Sequence, residues 1–166
     1  ASIPTGESQL IINRLTKPDF WIQDLGNWLQ IIRSDLKMTC PEIVRKCSSL
    51  SMGLEFIDDH AITELNTLWR NISSPTDVLS FPALDSKIKL PIDQCVELGD
   101  VFVSVTTARK QADFLNHELV FELRWLVCHG LLHLLGWDHP NEEKLTEMLS
   151  YQERLLNIQG KFSFLT

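Results

Sequence analysis

Three of the five histidines lie in one short segment, as His129, His133 and His139. On a helix, residues four positions apart lie on one face about one turn apart, so the first two could present their imidazoles to one cation. Gly136 stands where a glycine could end that helix, because glycine readily takes the left-handed conformation that closes helices. The chain could then turn and return His139 as a third ligand. Three imidazoles with an open fourth position form a catalytic rather than a closed structural metal site.

The metal expected at this site is one Zn²⁺ ion per chain, because neutral imidazole suits zinc, with nickel, copper and iron as the alternatives. The alternative for a lone His-x-x-x-His pair is a structural role, as two hydrogen-bonded histidines in the core. The third histidine, just past a helix-ending glycine, favours the metal site.

The same ligand spacing occurs in metzincin peptidases, as H-E-x-x-H-x-x-G-x-x-H. Their second residue is a glutamate that acts as general base. In this chain Gly130 stands at that position. The sequence therefore keeps a metzincin-like helix with its ligands and lacks the proton acceptor of peptidase chemistry.

Helices and strands predicted along the rest of the chain could position this segment. Alternating or β-branched residues predict about four strands, at residues 9–13, 50–56, 78–81 and 98–105. Apolar residues at three- and four-residue spacing predict about five helices, the longest over residues 116–135 with Asn116 as its cap. We expect a single α+β domain over residues 8–160, a small mixed sheet packed with helices, between tails at residues 1–7 and 161–166.

Composition excludes several classes of protein. The 166 residues are 44% hydrophobic and 22% charged, which excludes disordered and collagen-like chains. No apolar run approaches the ~18 residues of a membrane-spanning helix. Four cysteines without a C-x-x-C pair predict reduced thiols in an intracellular compartment. The net charge of −7 argues against bulk electrostatic binding of nucleic acid but leaves room for a local basic groove.

Residues 129–139 match the H-G-x-x-H-x-x-G-x-D-H signature, and through it the chain resembles the YbeY family of metal-dependent endoribonucleases. Two upstream segments extend the resemblance. Leu65-Asn66-x-x-Trp69-Arg70, followed by PTDVLSFP at residues 75–82, is similar to the second family motif, and LGDV at residues 98–101 is similar to the third. The resemblance covers about residues 50–160.

The resemblance implies a single-strand-specific endoribonuclease that acts in rRNA maturation, at the 3′ end of the small-subunit rRNA, and in ribosome quality control. It implies a metal held by His129, His133 and His139, and a cleft in which Arg70 contacts RNA phosphate. A guanidinium stays charged and offers two donors to phosphate oxygens, so the chemistry of Arg70 suits a catalytic role in binding the RNA phosphate. Ser80 is a further substrate-binding candidate. The family usually has a glycine and charged residues after the arginine, whereas this chain has Asn-Ile-Ser-Ser at residues 71–74.

Other candidates have competing interpretations. Asp138 could hydrogen-bond a ligand histidine or cap the local backbone. Arg109, Lys110 and Arg124 could contact phosphate or form a solvated helix face.

The expected partners are single-stranded regions of rRNA and a ribosome or small-subunit ribosomal protein, without DNA or membrane. The expected location is the cytoplasm, with an organelle stroma such as that of a plastid as the alternative. Two other functions stay open: a metal-dependent hydrolase of a peptide or small molecule, and a non-enzymatic ribosome assembly factor. The net charge predicts weak, salt-sensitive RNA binding.

Overall fold

The computed structural model describes residues 12–84 and 95–157. After helical residues 12–15 and a 3-10 turn at Pro18–Trp21, its helices are α1 (Ile22–Ser34), α2 (Glu42–Lys46), α3 (Asp59–Arg70), α4 (Val105–Leu115), α5 (Leu119–Leu134) and α6 (Glu142–Asn157). Its strands are β1 (Ser49–Ile57), β2 (Val78–Pro82) and β3 (Cys95–Ser104). Within these ranges, no helix combines the length and the apolar character needed to cross a membrane.

The three strands form one mixed sheet in the order β1-β3-β2. β1 runs parallel to β3, and β2 runs antiparallel to it along the other side. The predicted α+β class with a small mixed sheet is confirmed, with three strands in the described part of the chain where about four were expected. The expected strand at residues 9–13 lies partly outside the described residues, and it is wrong for Ile12 and Asn13, which are helical. Periodicity alone does not distinguish a short apolar strand from a helical segment.

Helix α5 lies at the centre of the core and packs against β2, β3, α4 and α6. Its side chains at Leu123, Val127, Leu131 and Leu132 are completely buried. The predicted helix start at Asn116 is wrong. Asn116 has a φ of 56° and ends α4, because asparagine tolerates the left-handed conformation of a helix C-cap, and α5 begins only after Glu118.

The sheet and α5 approach each other closely at Gly130. A Cβ atom there would lie 2.6 Å from Val101 Cγ1 and 3.2 Å from Ser80 Oγ. The Ser80 hydroxyl donates a hydrogen bond of 3.1 Å to the carbonyl of Gly130. The position that carries the general base in metzincins therefore faces the sheet at van der Waals contact, and a glycine is required there by packing.

Helix α3 is tied to the start of α4 through Asp59. Asp58 caps α3 by accepting a hydrogen bond from the backbone N–H of Ala61. The Asp59 carboxylate accepts hydrogen bonds from the hydroxyls of Ser104 and Thr107, and Lys110 lies 3.3 Å away. Burial acts to raise the pKa of Asp59, but these bonds outweigh it and hold the pKa below its ordinary value.

We expect Gly130→Ala to lower the free energy of unfolding by about 1–3 kcal/mol, because the β-branched Val101 cannot move aside without strain. Gly26 in α1 has open space where a methyl group would lie, with no atom within 4 Å, so Gly26→Ala is the matched control and should stabilise the chain by about 0.4–1 kcal/mol. Urea unfolding measures both. Equal effects of the two substitutions would contradict the close approach at Gly130.

Asp59→Asn should lower the free energy of unfolding at neutral pH by about 1–2 kcal/mol, because it weakens charged hydrogen bonds. The folded pKa of Asp59 lies below the unfolded value, so the stabilisation is present above about pH 4 and is lost as the pH falls through the folded pKa. The difference between parent and variant should therefore shrink at about pH 3. Asp113→Asn, at an exposed position of α4, is the control and should change little at either pH.

Candidate active site

A cleft of about 580 Å³ lies between the second half of α5, strand β2, the end of α3 and the turn that follows α5. The sequence-predicted site residues all line it: Arg70, Ser80, His129, His133 and His139. Residues separated by up to 69 positions are thus brought to one surface depression. The cleft combines candidate metal ligands with a candidate phosphate-binding group.

The three histidines converge as the spacing predicted. One ring nitrogen of each lies within 4.8 Å of those of the other two. The Nε2 atoms of His129 and His133 are 3.0 Å apart, and the ring centroid of His139 lies 5.7 Å and 5.1 Å from theirs. These separations allow all three imidazoles to bind one cation.

Gly136 makes the return of His139 possible. Its φ of 99° is in the region that favours glycine, and it ends α5 as predicted. The backbone N–H of Trp137 then donates to the carbonyl of Leu132, and its buried indole N–H donates to the carbonyl of Thr39. Trp137, the residue that follows the glycine, is therefore tied both to the end of α5 and to the backbone at Thr39.

Hydrogen bonds fix which nitrogen of each helical histidine carries the proton. The Nδ1 atom of His133 lies 2.9 Å from the carbonyl oxygen of Trp137, which can only accept. The Nδ1 atom of His129 lies 2.9 Å from Oε1 of Gln152, whose amide group donates to the carbonyl of Trp125. Both Nδ1 atoms must therefore donate, which leaves the Nε2 lone pairs facing the cleft.

This donor set fits a transition-metal ion. Two neutral imidazoles whose Nε2 lone pairs face each other at 3.0 Å repel, and a cation bound by both removes the repulsion. Burial lowers the pKa of His129, and burial followed by the neighbouring His129 lowers the pKa of His133 to about 4. Both rings are accordingly neutral at physiological pH, the state in which imidazole binds metal.

Gln152 is a functional residue that the sequence reasoning missed. It is fully buried in α6, where it orients His129 from behind. The signal was present in the sequence, because Gln152 lies on the apolar face of a predicted helix, four residues after Met148 and three before Leu155. A polar residue on a buried face needs a hydrogen-bonding partner.

Arg70 is the last residue of α3, which ends in a left-handed C-cap at Asn71. Its side chain is exposed and lines the cleft, and among the described residues no carboxylate forms an ion pair with it. The guanidinium is therefore available to an anion in the cleft.

The remaining candidates have structural partners. The Asp138 carboxylate accepts from the backbone N–H of His139, which favours the local-cap interpretation. Lys110 pairs with Asp59, and Arg124 pairs with Asp24. None of the three cations Arg109, Lys110 and Arg124 is among the residues that line the cleft.

The charge of the cleft depends on the metal. Arg70 contributes one positive charge to the lining, whereas Asp77 and Asp138 contribute two negative charges. With neutral histidines the formal charge is −1, and a divalent ion changes it to +1. A phosphate group would therefore be attracted only to the metal-loaded cleft.

Gln152→Leu should weaken metal binding by about 10- to 100-fold, because it removes the acceptor that orients His129 while roughly preserving side-chain volume. Competition with a chromogenic chelator measures the affinity, and thermal unfolding of the metal-free protein reports any loss of fold. Gln23→Leu, at an exposed position of α1, is the matched control and should bind metal like the parent. Equal affinities of Gln152→Leu and the parent would rule out the orienting role.

Comparison with known proteins identifies the family of this chain. The model of the family described as Endoribonuclease YbeY matches residues 17–160. The Endoribonuclease YbeY of Prochlorococcus marinus (strain MIT 9313) is 61% identical over 148 residues, which cover 89% of this chain and 79% of the relative. That of Synechococcus sp. (strain CC9902) is 51% identical over 142 residues, or 86% of this chain and 79% of the relative.

The fold is also similar to a solved structure. The solution structure of TM1509 from Thermotoga maritima matches 85% of this chain and 82% of its own, with a TM-score of 0.52 and 24% identity. That likeness concerns the fold, whereas the family match and the sequence relatives concern the whole set of motifs. By both its sequence and the cleft that this sequence builds, the chain belongs to the endoribonuclease YbeY family of RNA-cleaving hydrolases.

Proposed function

We propose that this chain is a metal-dependent endoribonuclease that cleaves single-stranded RNA and acts in rRNA maturation, at the 3′ end of the small-subunit rRNA, and in ribosome quality control. The observation that carries the proposal is the convergence of three histidines and Arg70 on one cleft. The family membership supports the substrate class, since the matched relatives carry the name Endoribonuclease YbeY.

We assign the metal as zinc, held by His129, His133 and His139, because three neutral imidazoles suit it. When bound, such an ion supplies Lewis-acid charge and lowers the pKa of water. Arg70 would bind the scissile phosphate through its two parallel donors and offset the negative charge that develops on cleavage. Ser80 is assigned to substrate binding from its place in the cleft wall, where its hydroxyl donates to Gly130.

The proton acceptor of a metzincin has no counterpart here, because the corresponding position is Gly130 and faces the sheet. Among the described residues, the carboxylates that line the cleft are those of Asp77 and Asp138. The Asp138 carboxylate accepts a hydrogen bond from the backbone N–H of His139, whereas the Asp77 carboxylate accepts long bonds, of 3.4 Å from Gln111 and 3.5 Å from the hydroxyl of Thr76. We therefore assign the role of proton acceptor in the cleft to Asp77 or to a group of the RNA itself. Gly130 in place of a metzincin-type base disfavours peptide hydrolysis.

We further propose that a ribosomal partner brings the enzyme to its substrate in the cytoplasm. The net charge of −7 opposes association with an RNA polyanion, and in the part of the chain that the structure describes the cation that lines the cleft is Arg70. Binding should accordingly be weak and should fall as salt is raised. A protein contact on the ribosome would supply the affinity that the cleft lacks.

Cleavage of a single-stranded RNA oligonucleotide by purified protein tests the activity. His133→Ala and chelation should each abolish cleavage, and Arg70→Ala should reduce kcat by about 10²- to 10³-fold, because it removes a group that stabilises developing charge. His60→Ala and Arg14→Ala are the matched controls, since neither residue lines the cleft, and they should cut like the parent.

If His133→Ala and Arg70→Ala cut as well as the parent, the activity belongs to a contaminating nuclease and the proposal is wrong. Efficient peptide hydrolysis that His129→Ala abolishes would instead assign the cleft to a peptidase. Intact ribosome binding without RNA cleavage would assign the chain to ribosome assembly.

A further inference from the structure

Trp69 is an exposed aromatic residue directly before the cleft arginine. Its side chain is 65% exposed at the end of α3, and its neighbours Leu68 and Ile72 are 74% and 40% exposed. A group of large apolar side chains left in solvent beside a polar cleft is typical of a binding surface. We call these three residues the apolar rim.

A contact with β2 holds the indole in place. The ring of Trp69 meets that of Phe81 edge-on, with centroids 5.9 Å apart, and Phe81 meets Phe102 in the same way at 5.7 Å. Phe81 lies next to Ser80 on β2, and because successive side chains of a strand point to opposite faces, its ring lies on the face of the sheet opposite to the Ser80 side chain that lines the cleft. The indole is therefore fixed relative to the cleft while most of its surface stays open.

We propose that Trp69 binds an unpaired base of the RNA substrate by stacking, at a nucleotide beside the phosphate that Arg70 binds. This inference rests on the proposed function. Proteins that bind single-stranded nucleic acid combine a cationic track for the backbone with aromatic rings on which bases stack. Trp69 and Arg70 supply one of each from adjacent positions of a single helix end.

Stacking on Trp69 also gives a reason for preferring single strands. A base in a duplex is already stacked on its neighbours and paired, so it can reach the indole only at the cost of leaving the helix. An unpaired base has no such cost. Stacking on Trp69 would thus select single-stranded over duplex RNA, whereas Arg70 and the metal would act on any phosphate.

Continuity with the cleft favours RNA over a protein as the occupant of the apolar rim. Arg70, which lines the cleft, directly follows Trp69 of the rim in the chain, and in the metal-loaded state the cleft attracts anions. An RNA strand that places a phosphate at Arg70 must lay the attached nucleotides across the neighbouring surface.

The first test is binding of a fluorescently labelled 2′-O-methyl RNA single strand, which resists cleavage, to the metal-loaded protein. Trp69→Ala should weaken binding by about 5- to 150-fold, the range for loss of one stacked base, and Trp69→Phe should restore most of it. Phe114→Ala is the matched control, because Phe114 is an aromatic residue 88% exposed on α4 that does not line the cleft. With cleavable RNA, Trp69→Ala should raise KM and leave kcat near that of the parent.

The second test removes bases one at a time from the RNA. For the parent, one abasic position near the cleavage site should weaken binding by the same factor as Trp69→Ala. For Trp69→Ala, that same abasic position should cause no further loss, because the base and the indole act on each other. A merely structural role of Trp69 would not single out one nucleotide.

The inference is overturned if Trp69→Ala binds and cleaves single-stranded RNA like the parent, or if its loss is the same for every abasic position. It is also overturned if the rim binds a ribosomal protein while RNA affinity stays unchanged in Trp69→Ala. A parent protein that neither binds nor cleaves single-stranded RNA contradicts the proposed function itself, which separates that failure from failure at Trp69 alone.

Discussion

The site depends on how closely α5 can approach the sheet, and Gly130 sets that distance. Any side chain at this position would collide with Val101 on β3 and crowd Ser80 on β2, so the sheet reaches the turn of helix between the two helical histidines only because the position is a glycine. The same contact aligns the cleft wall with the histidines through the bond from Ser80 to the Gly130 carbonyl. A glutamate at this position is incompatible with this packing, so the close approach and a metzincin-type base exclude each other.

Hydrogen bonds to buried groups set the orientation and the proton positions of the two helical histidines. Gln152 on α6 and the carbonyl of Trp137 accept the Nδ1 protons, and both acceptors are buried groups anchored elsewhere in the fold. Because burial also keeps the helical rings neutral, the cost of deprotonating the ligands is met when the chain folds. His139, the proposed third ligand, lies on an exposed turn, where it could adjust to an ion.

How much could be predicted from the sequence follows from which interactions are local. The convergence of the histidines and the helix end at Gly136 depend on residues a few positions apart, and the structure agrees with both. The helix start predicted at Asn116 was wrong because an asparagine side chain can begin or end a helix. Which of the two it does depends on how α4 packs. Gln152 was missed because its partner lies 23 residues away on another helix.

The acidic composition and the RNA substrate are reconciled at the scale of the cleft. A body with a net charge of −7 repels an RNA strand at long range, so encounter has to be local or assisted. Within the cleft, one divalent ion reverses the sign of the field that a phosphate meets. The ion therefore has a part in binding before it has one in chemistry. An aromatic surface beside Arg70 adds affinity that neither salt nor the charge of the protein body weakens, which is the kind of contact an acidic ribonuclease needs.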